Sequence, residues 1–430
     1  MEIPPQQDTW SLQDWLQYLE HQHHKEIDLG LERIGQVANA LSADRPAKTV
    51  ITVAGTNGKG STVRYLEQIL LADGRRVATY SSPHFLDYRE RVRIDGEQLS
   101  EADHCAAFAA VEAARGETSL TYFEFGTLAA LWLITRAHVD VAVLEIGLGG
   151  RLDAVNLVDP DISVVTTVGI DHIDFLGDDR EQIGFEKAGV YRTGKPAICA
   201  DPEPPERLLA HAVQIGAQLI QVGHDYHWCV ELEQGRQRSW QFTYADWQFS
   251  HLPLPQLPLV NAATALAVLA QLPVRPSRSS IETGLLQASL PGRLEIFRTQ
   301  PLVILDVAHN PHAARYLAAQ IRERWPHCKV RAVCAMLKDK DIEGTLGCLL
   351  SVVAKWYLAP TPGSRGASAN RLEQALDSAF CAAQSKDVSR QRFSSIGNAY
   401  QSALTDAEEG DLVLCFGSFL TIQAIYQLEG

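Results

Sequence analysis

Between residues 49 and 200 the chain alternates short β-branched runs with helical patterns, and this alternation restricts the fold more than any other feature. TVITVA, RVATYSS, VDVAVLEIG, ISVVTTVG and PAICA read as strands, with helix-period stretches between them. Consecutive strands joined by helical crossovers form right-handed units with parallel strands. The expectation is therefore an α/β fold around a mostly parallel sheet. Residues 11–43 read as amphipathic helix broken near Gly30. Residues 217–250 change character, and QLIQVG, WCVELE and SWQFTYADWQF read as a small antiparallel insert. A proline-rich link, LPLPQLPLV, then leads into a helix that begins near Asn261.

The alternation restarts after LPGRLEIFRTQPLVILDVAHN. PLVILDVA, KVRAVCAML, KWYLAP and DLVLCFGSF read as strands, with helices over 311–324, near 341–353 and near 370–384. At 430 residues the chain exceeds what one core ordinarily holds. Two domains are expected: residues 1–295, a P-loop-type domain carrying the antiparallel insert, and residues 296–430, a smaller Rossmann-like α/β domain.

A net charge of -14 argues against a broad nucleic-acid or membrane surface, which needs a basic face. It leaves room for a local pocket that takes an anionic small molecule. MEIPPQQDTW lacks the basic and apolar regions of a secretory leader. The densest apolar stretch, FGTLAALWLI, is about ten residues, roughly half a membrane span. The cysteines are scattered without a CxxC pair, as in a reduced cytoplasmic protein. Nothing suggests a large exposed apolar face, so a monomer is expected. HQHHKE, residues 21–26, reads as a solvated helix end and not as a metal site.

After TVITVA comes Gly55-Thr56-Asn57-Gly58-Lys59-Gly60-Ser61-Thr62, then a helix. Glycines let backbone N–H groups close on phosphate oxygens, and the helix start adds positive potential. Lys59 can neutralise β- and γ-phosphates, and Ser61 or Thr62 can reach Mg²⁺ or a phosphate. The spacing departs from the common P-loop: only two residues separate Gly55 from Gly58, and Gly60 intervenes before Ser61.

Other residues are ambiguous on local grounds. Glu145 ends a strand where α/β sheets bind ligands, although a surface acid could stand there too. Phe123 beside an apolar helix reads as core. Arg89, Arg91 and Arg93 alternate along an apparent strand and would share one face. Asp306, ending LVILD, reads as a helix N-cap.

GTNGKGS resembles the ATP loop of the Mur-ligase superfamily. Almost the whole chain resembles its folate branch, the dihydrofolate synthases and folylpolyglutamate synthases. SSPHF with RERVRIDG, TYFEFGTLAALWL, LEIGLGGRLDAVN, GIDHIDFLG, EKAGVYR, LPGRLEI and LDVAHNPHAA carry the likeness in order. Their joint presence points to the bifunctional bacterial type.

The resemblance implies ATP-driven amide formation. The substrate carboxylate takes the γ-phosphoryl group, and the amine of L-glutamate displaces phosphate from the resulting acyl phosphate. It assigns ATP to Gly55, Thr56, Asn57, Gly58, Lys59, Gly60 and Ser61, and from farther along the chain to Asn261, Arg293 and Asp306. It assigns Mg²⁺, as two ions, to Ser82, Glu145 and His172, and leaves a monovalent cation open. It makes Lys187 a carbamylated lysine near the metal, which needs an amine with a lowered pKa. Dihydropteroate falls to Thr121, Tyr122, Phe123 and Glu124 and to Leu152, Asp153 and Ala154, with Phe123 stacking on the pterin and Asp153 accepting from its amino edge. Lys59, Lys187 and His309 are the catalytic expectations, with the incoming glutamate near His309 and the turn APTPGSRGAS. Reduced folates are the second acceptor class.

Other functions stay open at this point. A single-activity folylpolyglutamate synthase would share every motif. A Mur-type ligase for a nucleotide-linked peptide would need a UDP-binding domain, and only about 45 residues precede the loop strand. An ATP-dependent switch or binding protein would give Glu145, His172 and Lys187 no reason to converge.

Overall fold

TVITVA forms β1 (Thr49–Ala54), buried along nearly all its length because it lies inside an eight-stranded sheet. The other strands are β2 (Val77–Tyr80), β3 (Val92–Ile94), β4 (Glu97–Gln98), β5 (Val141–Glu145), β6 (Ile162–Val165), β7 (Pro196–Cys199) and β8 (Gln218–Gln221). Their order is β4-β3-β2-β5-β1-β6-β7-β8. The pairs from β2 through to β8 are parallel, while β3 and β4 join antiparallel at one edge. Strands buried on both faces need continuous apolar runs, which VAVLE and ISVV supply.

The computed structural model describes residues 9–23, 25, 27–233, 236–384 and 388–429. The chain divides into two compact units, Met1–Ala288 and Ser289–Gly430. Two sequence expectations in the first unit change. QLIQVG is not part of the insert: it supplies β8, paired parallel with β7. A half-exposed edge strand carries too weak an alternation to be assigned to a sheet from sequence. The insert itself is the antiparallel sheet of β9 (Tyr226–Glu233), β10 (Arg236–Tyr244) and β11 (Trp247–Pro253), closed over buried Tyr226, Trp240, Phe242 and Leu252.

YRERVRIDG is the second change. Asp87 and Glu90 form a capping box that winds Tyr88–Arg91 into a 3₁₀ turn, so only Val92–Ile94 is strand and the three arginines do not share a face. The N-terminal pattern resolves into helices Leu12–Leu19 and Glu32–Leu41. In HQHHKE, His24 and Glu26 lie outside the described residues, and His23 Nδ1 is 2.7 Å from Ser119 Oγ.

The second unit is built on a six-stranded sheet. Its strands are β12 (Glu295–Thr299), β13 (Leu302–Asp306), β14 (Val330–Cys334), β15 (Val353–Leu358), β16 (Ser389–Arg392) and β17 (Leu412–Phe416), ordered β12-β13-β17-β14-β15-β16. Only β12 runs antiparallel to its neighbour. The expected helices appear as Pro311–Arg324, Ile342–Gly347 and Ala369–Ala383. Helices Ile396–Asp406 and Phe419–Glu429 were not anticipated. Asp306 is not the N-cap of the helix that follows it. That position belongs to Asn310, whose Oδ1 accepts from Ala313 N at 2.9 Å.

No described helix is long and apolar enough to cross a membrane. All eight cysteines are unpaired.

Candidate active site

The loop after β1 is held from outside. Thr56 N donates to Thr167 O at 2.8 Å and Asn57 N to Thr167 Oγ1 at 3.0 Å. Thr166 Oγ1 donates to Asn57 O at 2.7 Å. Gly55 and Gly58 have φ of +145° and +89°, and a Cβ there would fall 1.8 Å from Thr166 Oγ1 and 2.5 Å from Asn261 Oδ1. Both positions therefore require glycine for conformation and for space. Asn261, a residue from beyond the insert, packs directly on the loop. Lys59 opens the Lys59–Ala72 helix, with Gly60 and buried Ser61 in the first turn. Its Nζ donates to Gly55 O at 3.0 Å and to Thr56 O at 3.4 Å.

Loops leaving the C-terminal ends of β1, β5 and β6 line an open cleft. It is lined by Gly55, Thr56, Lys59, Ile146, Gly147, Leu148, Gly149, Asp171, His172, Leu176 and Lys187. Residues from four separate motifs thus meet at one place, the crevice where parallel sheets bind ligands. Glu145 ends β5 next to the Ile146–Gly149 wall and is 5% exposed, which removes the surface-acid alternative. His172 is exposed, in left-handed backbone with φ of 53°, and its N–H donates to Asp171 Oδ1. Ser82 lies just beyond β2, half-buried.

Lys187 sits in the Arg180–Ala188 helix and is 3% exposed. Burial, and then the charge of Lys59, lower its pKa from 10.5 to about 7, against the opposing pull of Asp171 and Asp153. Burial thus favours the neutral amine of this side chain. Asp153 moves the other way: burial raises its carboxyl to about 6, although backbone N–H groups of Leu148, Val155 and Gly147 favour the ionised form.

The residues expected to hold dihydropteroate divide by what occupies them. Thr121 and Glu124 form a capping box that starts the Tyr122–Ala137 helix, and Glu124 Oε1 also accepts from Arg33. Asp153 accepts from Leu148 N at 2.8 Å and Val155 N at 2.9 Å, and so fixes the glycine turn and caps the short helix begun by Ala154. Leu152 is half-buried beside it. Phe123 is different. Its ring lies against Gly147, where an added Cβ would be 2.5 Å from Phe123 Cζ, so the ring closes on the wall of the cleft.

Sequence reasoning did not single out Thr166, Thr167 or Asp171. The first two carry the loop and the third lines the cleft. The paired hydroxyls ending ISVVTT were the available signal, masked by their own fit to a strand.

In the second unit, Asp306 is buried and its carboxyl is raised by burial while the neighbouring Arg293 opposes the shift. Its oxygens accept from Leu294 N and Ala308 N. The Arg293 guanidinium lies 5.9 Å from the Phe419 ring centroid. His309 Nδ1 donates to Val307 O at 2.8 Å. The turn APTPGSRGAS is tied to the end of β14 by Thr361 Oγ1, which donates to Met336 O, and by Lys338 N, which donates to Arg365 O.

Sequence models of the Mur ligase middle domain and of the Mur ligase, glutamate ligase domain match residues 53–271 and 292–419. Fold and site together define a Mur-type ligase. The dihydrofolate synthase/folylpolyglutamate synthase of Escherichia coli K12 is 48% identical over 417 residues, 97% of this chain and 95% of the relative. The solved structure of E. coli FolC in complex with DHPP and ADP superposes with a TM-score of 0.93 at 47% identity, covering 99% of each chain. The bifunctional enzyme from Yersinia pestis, complexed with AMPPNP and Mn, gives 0.92 at 49% identity over 99% of this chain and 100% of that one. The chain belongs to the dihydrofolate synthase/folylpolyglutamate synthase family.

Proposed function

We propose that this chain joins L-glutamate to dihydropteroate, forming dihydrofolate, and adds further glutamates to reduced folates, each time through an acyl phosphate. The observation that carries this is the cleft in which the phosphate loop with Lys59, the β5 glycine turn, His172 and the buried Lys187 meet.

A carboxylate oxygen of the acceptor attacks the γ-phosphorus of ATP and ADP leaves. Positioning and charge neutralisation carry such a transfer, and Lys59 supplies a cation at the phosphates. The loop N–H groups hold the phosphates, with Gly55 through Ser61 and Asn261 around them, and Phe123 stacks on the pterin. The amine of glutamate then attacks the acyl carbon, phosphate leaves, and the amine loses a proton. As the family likeness implies, His309 is the base for that proton and Arg293 and Asp306 serve the nucleotide.

Among the described residues no three His, Cys, Asp or Glu side chains gather around a metal position. This suits Mg²⁺, which keeps water and phosphate oxygens as ligands and takes few from protein. Ser82, Glu145 and His172 would hold one ion and carbamylated Lys187 would face a second; bound there, the metal neutralises phosphate charge. Lys187 adds CO₂ through its neutral amine, forming an N–C bond and releasing a proton. The unpaired cysteines agree with a reduced cytoplasmic setting, and a monomer is the working assembly.

The test is to incubate the purified protein with ATP, Mg²⁺ and L-glutamate plus either dihydropteroate or a reduced monoglutamyl folate, and to weigh the product. Glutamate added to both acceptors is expected. Addition to one alone restricts the chain to that activity, and addition to neither overturns the proposal.

A further inference from the structure

Val168 is buried and lies past the end of β6, where pairing with β1 and β7 has stopped. Its backbone N–H and C=O need partners from elsewhere. Two side chains supply them. Val168 N donates to Asp201 Oδ2 at 2.7 Å, and Val168 O accepts from Arg180 Nε at 2.8 Å. Arg180 Nη2 closes the ring by donating to both Asp201 oxygens at 3.0 Å. The same nitrogen donates to Glu203 O at 2.6 Å, and Glu203 N donates to Asp201 Oδ1 at 2.9 Å.

This is more than a surface ion pair, which contributes little on its own. Asp201 is 4% exposed and follows β7, the strand beside β6. Arg180 opens the Arg180–Ala188 helix. The ring therefore joins the segments after β6 and β7 to the first turn of that helix. It also uses the guanidinium as a fork, with Nε on a carbonyl and Nη2 on the carboxylate, an arrangement that a single ammonium cannot reproduce.

The position of the ring gives it a bearing on the cleft. Thr167, just before Val168, accepts the N–H groups of Thr56 and Asn57 and so carries the phosphate loop. Asp171 and His172, a few residues beyond Val168, line the cleft. Lys187 lines it too, and stands about two helical turns from Arg180, on the same face of the helix. One end of that face grips Val168 and the other enters the cleft. Neither Arg180 nor Asp201 is among the residues that line it.

We infer that Arg180 and Asp201 are a positioning pair for phosphoryl transfer. Together they set the register between the segment that carries the phosphate loop and the helix that brings Lys187 to the cleft. This rests on the function proposed above. Transfer is carried by alignment of the reacting groups, so a displaced wall lowers the rate even where every group that touches the reactants is retained.

The test uses the full-length protein with Arg180→Lys, Arg180→Gln, Asp201→Asn and the double variant Arg180→Gln/Asp201→Asn. Arg180→Lys keeps a cation beside the buried carboxylate and loses the fork. Its urea midpoint should stay near that of the wild type, while kcat with dihydropteroate falls about tenfold or more. Its affinity for ADP, measured by calorimetry without acceptor, should fall several-fold, and the KM for dihydropteroate should hold, because the wall formed by Phe123 is untouched. Arg180→Gln and Asp201→Asn should each lower kcat, and the double variant should lose no more than the worse of the two, since the pair acts as one unit. Wild-type kcat and ADP affinity in Arg180→Lys, additive losses in the double variant, or a loss of kcat that follows the urea midpoint across the series would overturn the inference. Calorimetry separates the two levels. If the wild type adds glutamate to neither acceptor while ADP affinity falls in Arg180→Lys, the proposed function fails and the positioning pair stands. If the wild type forms product and Arg180→Lys keeps both kcat and ADP affinity, only the inference fails.

Discussion

Thr56 and Gly169 exchange two hydrogen bonds: Thr56 Oγ1 donates to Gly169 O at 3.0 Å and accepts from Gly169 N at 2.9 Å. One hydroxyl thus fastens the phosphate loop to the segment that leads into Asp171 and His172. Thr56→Val keeps the shape and removes both bonds. Unfolding in urea should register a loss of about 1–2 kcal/mol, and the KM for ATP should rise. An unchanged KM would mean that the loop keeps its place without this fastening.

Gly147→Ala adds one methyl where Phe123 Cζ would lie 2.5 Å away. The ring must move, and a ring edge can do so at modest cost in stability. The KM for dihydropteroate should therefore rise several-fold while the KM for ATP holds, and Phe123→Ala should give the same asymmetry. Equal shifts in both constants would take Phe123 out of acceptor binding.

Glu145→Gln keeps the volume of a buried side chain and removes its charge. Turnover should then need a higher Mg²⁺ concentration, by about tenfold or more, as when a metal ligand or its support is lost. Titration of activity against Mg²⁺ decides it, and a superimposable curve would place the ion elsewhere.

Lys187 gives a stability signature with a definite sign. Its pKa is about 7 in the folded protein and near 10.5 when unfolded. Between those values the unfolded chain binds the extra proton, so stability rises with pH across that window, and the full penalty is present below it. For CO₂-depleted protein, Lys187→Met should be more stable than wild type near pH 7, with the gap closing as pH approaches about 10. Parallel stability curves for the two proteins would mean that the buried amine is not neutral in the fold.

The sequence made some of this plain and hid the rest for identifiable reasons. β1, β5, β6 and β7 were legible because buried parallel strands are short, continuous and β-branched. Arg89–Arg93 misled because alternation looks the same whether the backbone is strand or a capped 3₁₀ turn, and the Asp87–Glu90 box that decides it is weak as a pattern. Thr121 and Glu124 were singled out as substrate residues, yet locally they are a helix start. Asp153 was assigned to the pterin edge, and its two oxygens already take backbone donors. His172 and Lys187 gave no local signal. A histidine on a loop and a lysine on a helix are ordinary until the chain folds them onto one cleft.

Lys59 has one more consequence. Its ammonium rests on the carbonyls of Gly55 and Thr56, so an arriving phosphate must win it from two oxygens of the loop itself. Selection at this loop is then a contest between acceptors. A ligand with a single weakly charged oxygen leaves the lysine where it is, and a triphosphate, with several, can draw it away.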